Sequence, residues 1–175
     1  MIYIGLDPST KTGIVAMDEN GNVFCEKEIT TSGKDPARMT DLLEKILKEI
    51  DAVTPPRKSI FSSIAIEGFG FASNRGFLLG GIGWGIRCAL YREGMDYIEV
   101  APAALKKFTG GKGNAPKDVV RLEVYKRWGY EHKSDNVIDA YVLAQIARHI
   151  DRHIPLTKYQ EEVIHKIQGN VKING

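Results

Sequence analysis

The sequence has few of the residues and segments that define several protein classes. Only two cysteines, Cys25 and Cys88, occur among 175 residues, and their wide separation fits neither a disulfide framework nor a zinc site. No apolar run is long enough to span a membrane, and Asp7 interrupts the N-terminal apolar segment, so a secretion signal is not predicted. With 7 prolines and 43% hydrophobic residues, the composition is not that of a disordered chain. These absences favour a folded cytoplasmic protein with no membrane partner.

The sequence also has little excess of one charge sign over the other, because the formal net charge is only +2. Strong global attraction to a polyanion is therefore not expected. The charges are unevenly distributed, however: residues 101–133 carry a net +5, whereas residues 1–60 carry a net −2. This asymmetry indicates a phosphate-facing side, although charged faces that merely contact solvent are common.

The order of the predicted secondary structure indicates an α/β protein with a mixed sheet. β-forming residues and turn signals predict five strands, at 2–6, 12–17, 22–29, 60–66 and 97–101. Apolar residues at helical spacing predict six helices, at 36–53, 74–92, 102–108, 116–128, 134–150 and 155–167. Three hairpin-joined strands followed by alternating strands and helices predict a five-stranded sheet, antiparallel and then parallel, flanked by helices. We expect one domain over 1–175, in which 155–175 form a C-terminal helix and tail.

Two acidic residues stand where buried strands are predicted to end. Asp7 ends the segment Ile-Gly-Leu-Asp, and Glu67 ends the segment Ile-Ala-Ile-Glu. Taken alone, Asp7 is also explained by an Asp-Pro turn, and Glu67 by a strand end that reaches solvent. Together they are candidate catalytic carboxylates.

A second acidic pair, Asp135 and Asp139, lies on a predicted helix. The four-residue spacing leaves about 40° between the two side chains around the helix axis, so they share one face. Asp135 alone is explained by an N-cap with a favourable position in the helix dipole. Asp139 is harder to explain structurally, because its neighbours in the sequence are apolar and an unpaired buried carboxylate is costly.

Convergence of these acids would require cations, because closely spaced carboxylates repel one another. Hard oxygen ligands select Mg²⁺ or Mn²⁺. Two such ions about 4 Å apart would hold the attacking water and the leaving oxygen of a phosphodiester in line. The acids therefore predict a two-metal site for phosphoryl transfer.

Basic and aromatic residues lie near these acids in the sequence. A predicted glycine-rich loop at 109–115 contains Lys112 and is followed by Lys117 at the start of a helix, an arrangement favourable to phosphate. Phe69 and Phe71 follow Glu67 and suit stacking on unpaired bases, although ordinary packing explains them equally well. His149 and His153 have the helical spacing of a metal pair, but without a third ligand we interpret them as surface residues.

Four blocks of the sequence resemble the RuvC-type Holliday junction resolvases, particularly the small bacterial and phage members. The blocks are Asp-Pro with Gly13 after the first strand, Ala-Ile-Glu-Gly-Phe-Gly-Phe-Ala around Glu67, Gly-Lys-Gly-Asn-Ala-x-Lys ending at Lys117, and Asp-x3-Asp-Ala around Asp139. Together they span residues 2 to about 148. Their joint occurrence in this order is more specific than any one of them.

The resemblance implies a ribonuclease H-like fold and an endonuclease that cuts four-way DNA junctions. It implies that the catalytic and metal-binding set consists of Asp7, Glu67, Asp135 and Asp139. It further implies that Lys117 and Lys112 contact phosphates and that Phe69 or Phe71 probes the junction. The chain departs from the family in one respect, because the penultimate acid is expected three residues before Asp139, where Asn136 stands.

The resemblance also implies a homodimer, because two equivalent nicks in a four-way junction require two equivalent sites. The glycine-rich helix at 74–92 is one candidate for close packing at the dimer interface. Three other functions remain open: an actin-like ATPase or sugar kinase, a related nuclease acting on structured RNA, and a catalytically silent junction-binding protein. The ATPase is disfavoured because it needs two such domains, so no nucleotide cofactor is expected.

Overall fold

The molecule is built around a mixed sheet, and the computed structural model describes residues 1–54, 62–70, 76–152 and 154–170. The strands are β1 (Ile2–Asp7), β2 (Lys11–Met17), β3 (Val23–Thr30), β4 (Ser62–Glu67) and β5 (Tyr97–Val100). They lie in the order β3-β2-β1-β4-β5. β2 pairs antiparallel with β1 and β3, whereas β4 pairs parallel with β1 and β5. The predicted fold class and strand arrangement are confirmed.

Six helices flank this sheet in the described part of the chain. They are α1 (Ala37–Val53), α2 (Gly76–Arg92), α3 (Pro102–Gly110), α4 (Lys117–Trp128), α5 (Asp135–Arg152) and α6 (Lys158–Asn170). α3 is two residues longer than predicted and ends at Gly110, because Gly111 follows with a left-handed φ of 77° that stops the helix. α6 begins later than predicted because the Gln160 side chain accepts hydrogen bonds from the Thr157 backbone N–H and hydroxyl, which caps the helix.

The two faces of the sheet bury separate apolar clusters. Side chains alternate along β1, so that Tyr3 contacts the cluster beneath α5 whereas Ile4 and Leu6 contact the cluster beneath α1 and α2. Because both faces are covered, the central strands are almost continuously apolar. Over the described residues, no helix is both long and apolar enough to cross a membrane.

α5 lies directly on the sheet because two glycines leave room for its backbone. A Cβ atom at Gly5 would lie 1.8 Å from the carbonyl oxygen of Ala140, and one at Gly13 would lie 2.0 Å from that of Asn136. Neither position tolerates a side chain without movement of the helix. These contacts fix the height of α5 above the ends of β1 and β2.

One interpretation of the histidines is wrong. His149 is buried on α5, where its Nδ1 lies 2.7 Å from the backbone oxygen of Gln145 and its ring packs edge-on against Phe108. Burial lowers the pKa of His149, so the neutral ring is favoured. His149 is therefore a core residue, and His153 lies outside the described residues.

Candidate active site

The parallel pairing of β1 and β4 brings the first two candidate acids together. Leu6 and Ile66 are partners in register, so Asp7 and Glu67 follow them at the same edge of the sheet. Asp7 is buried, with 6% of its surface exposed, and Glu67 is partly buried. The two carboxyl groups interact with each other, and the pKa values of both lie above the ordinary ones. Burial and the charge of Glu67 raise the pKa of Asp7 well above its ordinary value.

The third candidate acid, Asp139, reaches the same place from α5. It is partly buried and lines the same cavity as Asp7 and Glu67. Burial, reinforced by the charge of Asp7, raises the pKa of Asp139 to about 7. The charge of Asp139 in turn adds to burial in raising the pKa of Glu67. The structure thus brings together three acids that are distant in the sequence.

These acids line an open cavity of about 530 Å³ at the edge of the sheet. Its wall combines the three acids with two lysines, one amide, one aromatic ring and one guanidinium. These latter residues are Lys106, Lys117, Asn136, Phe69 and Arg87. A mixture of mutually repelling acids with lysines opposite them suits a phosphodiester bound together with cations.

The fourth predicted acid, Asp135, is placed differently. Its carboxylate accepts hydrogen bonds from the Arg121 Nε at 2.6 Å and the Lys117 Nζ at 3.1 Å. Partial burial raises the pKa of Asp135, but the hydrogen bonds and charges of Arg121 and Lys117 outweigh burial. The pKa of Asp135 therefore lies below its ordinary value. Among the described residues that line the cavity, Asn136 is present and Asp135 is not. The position three residues before Asp139 is therefore the one that projects into the cavity.

Three lysines lie on α3, on α4 or in the loop between these helices near the acids. Lys106 and Lys117 line the cavity with the acids, and Lys112 does not. Lys117 bonds to Asp135, and its positive charge partly offsets the rise in the pKa values of Asp7 and Glu67. Lys106, on α3, acts on Glu67 and Asp139 in the same way and was missed by the sequence analysis. Lys112 is exposed in the loop after α3 and is not among the described residues that line the cavity.

Of the two predicted aromatic contacts, the structure describes one. Phe69 lines the cavity and stacks on Trp84 of α2, with ring centroids 5.7 Å apart. The Phe69 ring therefore packs against another side chain of the same chain and also forms part of the cavity wall. Phe71 lies outside the described residues.

The acids fit divalent ions in their chemistry. Carboxylate oxygens are the donors that Mg²⁺ and Mn²⁺ prefer, and a cation would relieve the repulsion that adds to burial in raising the three pKa values. Over the described residues, no three Asp, Glu, His or Cys side chains are grouped closely enough to form a metal site by themselves. Water and phosphate oxygens would therefore have to complete the coordination of a bound ion.

Without divalent ions, the protein is expected to become less stable as the pH rises toward neutrality. The folded state holds a proton on Asp139 up to a pKa of about 7, whereas the ordinary value is 3.8. The native state therefore binds more protons than the unfolded state in this range, so the free energy of unfolding falls as the pH increases. Thermal unfolding in chelator at about pH 5 and about pH 7.5 measures this effect. Asp139→Asn should weaken the dependence, and an unchanged dependence would contradict the assignment.

Comparison with known proteins places this geometry among known folds. No protein-family model matches the chain. In sequence, it is 28% identical over 132 residues to the crossover junction endodeoxyribonuclease RuvC of Chloroherpeton thalassium, which covers 72% of this chain and 69% of that protein. In structure, it matches a Thermus thermophilus RuvC structure with a TM-score of 0.63 and 20% identity, over 85% of this chain and 94% of that one.

A second structural match is T. thermophilus RuvC in complex with Holliday junction substrate, with a TM-score of 0.64 and 22% identity. This match covers 85% of this chain and 92% of the T. thermophilus chain. The mixed sheet, with paired acids at adjacent strand ends, has the ribonuclease H-like fold. Within that class, the resemblance to RuvC-type proteins predicted from the four sequence blocks is confirmed.

Proposed function

We propose that this chain is a structure-selective endonuclease that cuts branched DNA and resolves Holliday junctions by paired nicks. It acts in the cytoplasm through one nuclease domain. The observation that carries the proposal is the convergence of Asp7, Glu67 and Asp139 on one open cavity that also contains Lys106 and Lys117. The similarity to RuvC in sequence and fold supports the same substrate class.

A cleavage assay on a panel of nucleic acids tests this function. A synthetic mobile four-way DNA junction, a linear DNA duplex and a structured RNA are each incubated with the protein and Mg²⁺. We expect symmetric paired nicks in the junction and little cutting of the duplex. Preferred cutting of the RNA would favour the related RNA nucleases, and tight junction binding without cutting would favour a silent binding protein.

Asp7, Glu67 and Asp139 are the proposed ligands of two divalent ions per site, with Mg²⁺ as the physiological ion and Mn²⁺ as a substitute. When bound, such ions activate the attacking water and stabilise the leaving oxygen. The protein holds its acids at two adjacent strand ends and on one rigid helix, so their positions are fixed before the substrate arrives.

Asp135 remains the proposed fourth acid of the site. In the structure its carboxylate is held by Lys117 and Arg121. A substrate phosphate would compete with Asp135 for Lys117, since both are anionic acceptors. We infer that a bound phosphate draws Lys117 away from Asp135. The carboxylate of Asp135 then becomes available to the divalent ions.

The lysines that face the acids are the proposed phosphate contacts, and Lys112 is a proposed outer contact in the adjoining loop. Lys117→Ala is expected to slow junction cutting by about tenfold and to make the salt dependence of binding shallower by about one unit of log–log slope. Junction binding titrated over a range of salt concentrations, together with single-turnover cutting, measures both effects.

Lys126→Ala is the matched control for Lys117→Ala. Lys126 is exposed on the same helix, α4, and pairs with Glu123 at 3.1 Å rather than with a residue of the cavity. It should leave the cutting rate unchanged. Equal effects of the two substitutions would remove Lys117 from the site.

The proposed functional unit is a homodimer that associates through α2. Three aromatic side chains on this helix are exposed at seven-residue spacing, which places them on one face: Phe77, Trp84 and Tyr91. An apolar surface of this kind indicates an interaction site. Of the glycines of α2, Gly83 and Gly85 face Phe69 and Leu43 of the same chain, so they are not available for contact with a partner. Gly76 and Gly80 have open space where a Cβ would lie.

Phe77→Glu is expected to shift the protein from dimer to monomer, because it places a charge on the apolar face that the proposed contact would desolvate. Light scattering after size-exclusion chromatography measures the molar mass, and a cruciform plasmid reports whether the two nicks remain paired. Phe24→Glu is the control, because Phe24 is an exposed aromatic on the edge strand β3. A Phe77→Glu protein that remains dimeric would exclude this face as the interface.

A further inference from the structure

Arg87 of α2 is a buried cation beside the cavity that the sequence analysis did not predict to be functional. Only 3% of its surface is exposed. Its Nε and Nη2 donate to the Glu99 carboxylate at 3.0 and 2.8 Å, and its Nη1 donates to the Gly83 backbone oxygen at 3.0 Å. Nη2 also donates to the backbone oxygen of Glu67 at 3.0 Å. The guanidinium carbon lies 4.3 Å from the centre of the Phe69 ring.

An ion pair with Glu99 does not by itself explain this arrangement. The Glu99 side chain is half exposed, so a surface cation would satisfy it without the cost of burying a guanidinium. Arg87 makes two additional contacts, a hydrogen bond to the backbone oxygen of Glu67 and a cation–π contact with the face of the Phe69 ring. These contacts use the planar, multidentate shape of arginine, which lysine lacks.

The contacts restrict the segment that carries Glu67 and Phe69. The Gly68 backbone N–H donates to the Val100 oxygen at 2.8 Å, which ties the segment to β5. Arg87 ties the preceding carbonyl to α2 and supports the ring of Phe69. The direction in which Glu67 enters the cavity is therefore fixed from two sides.

We propose that Arg87 is a positioning residue that sets Glu67 and Phe69 in their working geometry and links them to α2, the proposed dimer helix. This inference rests on the proposed function. Arg87 does not contact the reacting groups and acts through the segment that it holds. A displacement of α2 would move the guanidinium and, with it, the backbone of Glu67.

The test compares Arg87→Lys with the wild-type protein. We expect the variant to fold and to bind the junction within about twofold of wild type when Ca²⁺ replaces Mg²⁺. Single-turnover cutting should be about 10- to 100-fold slower, and the Mg²⁺ concentration for half-maximal cutting should rise. A 2-aminopurine base at the junction centre should give a smaller fluorescence increase, because Phe69 is less well placed.

Arg148→Lys is the matched control. Arg148 also donates from its Nε to a backbone oxygen, that of Glu19 at 3.0 Å, but lies away from the cavity lining. It should leave the cutting rate and the Mg²⁺ requirement unchanged. Arg87→Lys with a wild-type rate and Mg²⁺ requirement would overturn the proposal. So would a slower rate that follows only from a lower thermal midpoint, with no change in the Mg²⁺ requirement.

A second variant keeps the test decisive if Arg87→Lys does not fold. Glu99→Ala leaves the guanidinium in place but removes the acceptor that orients it. It should raise the Mg²⁺ requirement in the same direction, and an unchanged requirement would overturn the proposal. Failure of the wild-type protein itself to cut the junction would instead count against the proposed function.

Discussion

Glu67→Gln and Asp7→Asn are each expected to abolish cutting of a four-way junction while leaving junction binding intact or stronger. Each substitution removes a hard anionic donor, and the loss of transition-state stabilisation corresponds to a rate decrease on the order of 10³-fold. Binding should not suffer, because one fewer negative charge faces the phosphates. Single-turnover cutting and gel-shift titration of the same junction separate the two effects.

The control for these acids is Glu162→Gln. Glu162 is an exposed acid of α6 that pairs with Lys107 at 2.7 Å, away from the cavity lining. It should cut at the wild-type rate. The thermal midpoints of the Asp7 and Glu67 variants in chelator should equal or exceed that of wild type, because each loses a repelling charge. Lost binding in a normally folded variant would contradict the assigned roles.

Gly5→Ala is expected to destabilise the protein strongly and to displace the third acid. The added Cβ would lie 1.8 Å from the Ala140 oxygen and 2.6 Å from the Ala144 nitrogen, both of which belong to the α5 backbone. Because backbone cannot rotate away as a side chain can, we expect a loss of about 3 kcal/mol or more in the free energy of unfolding, which lowers the Tm by roughly 6–12 °C. Movement of α5 would also shift Asp139 relative to Asp7.

Thermal unfolding measures the stability of the Gly5→Ala protein, and the cutting rate well below its Tm measures the displacement of Asp139. Gly169→Ala is the control, because a Cβ at Gly169 of α6 meets no atom within 4 Å. An alanine there should leave the Tm unchanged or raise it slightly. A Gly5→Ala protein with a normal Tm would show that α5 does not depend on this contact.

The sheet and the first two acids were predictable from the sequence because local pattern determines them. Short runs of β-formers predict β1 and β4, and each run ends at an acid. Once β1 and β4 are parallel neighbours, Asp7 and Glu67 must share one edge. The hypothesis of two-metal phosphoryl transfer came from these two acids together with those of the predicted helix.

Which of Asp135 and Asn136 lines the cavity could not be predicted, because helical spacing is a weak constraint at this point. Spacings of three and four residues both place two side chains on one face of a helix. The choice between Asp135 and Asn136 depends on how α5 is rotated against the sheet. The close contact of the Asn136 backbone with Gly13 sets that rotation, and Arg121 draws Asp135 aside.

Lys106, Arg87 and His149 lay beyond sequence reasoning for a related reason. Each belongs to a helix on which a charged or polar residue is ordinary, and nothing local distinguishes a cavity-facing residue from a surface one. Their roles depend on which neighbouring elements cover them. The one available signal was the net basic charge of residues 101–133, which includes Lys106 but does not single it out.

The most direct test is a crystal structure of the protein with a four-way junction and Mn²⁺, in which anomalous scattering locates the ions. The account predicts anomalous density in contact with Asp7, Glu67 and Asp139 and next to a junction phosphate, and its loss in Glu67→Gln. Mn²⁺ bound elsewhere on the chain, with none at these three acids beside the DNA, would contradict it.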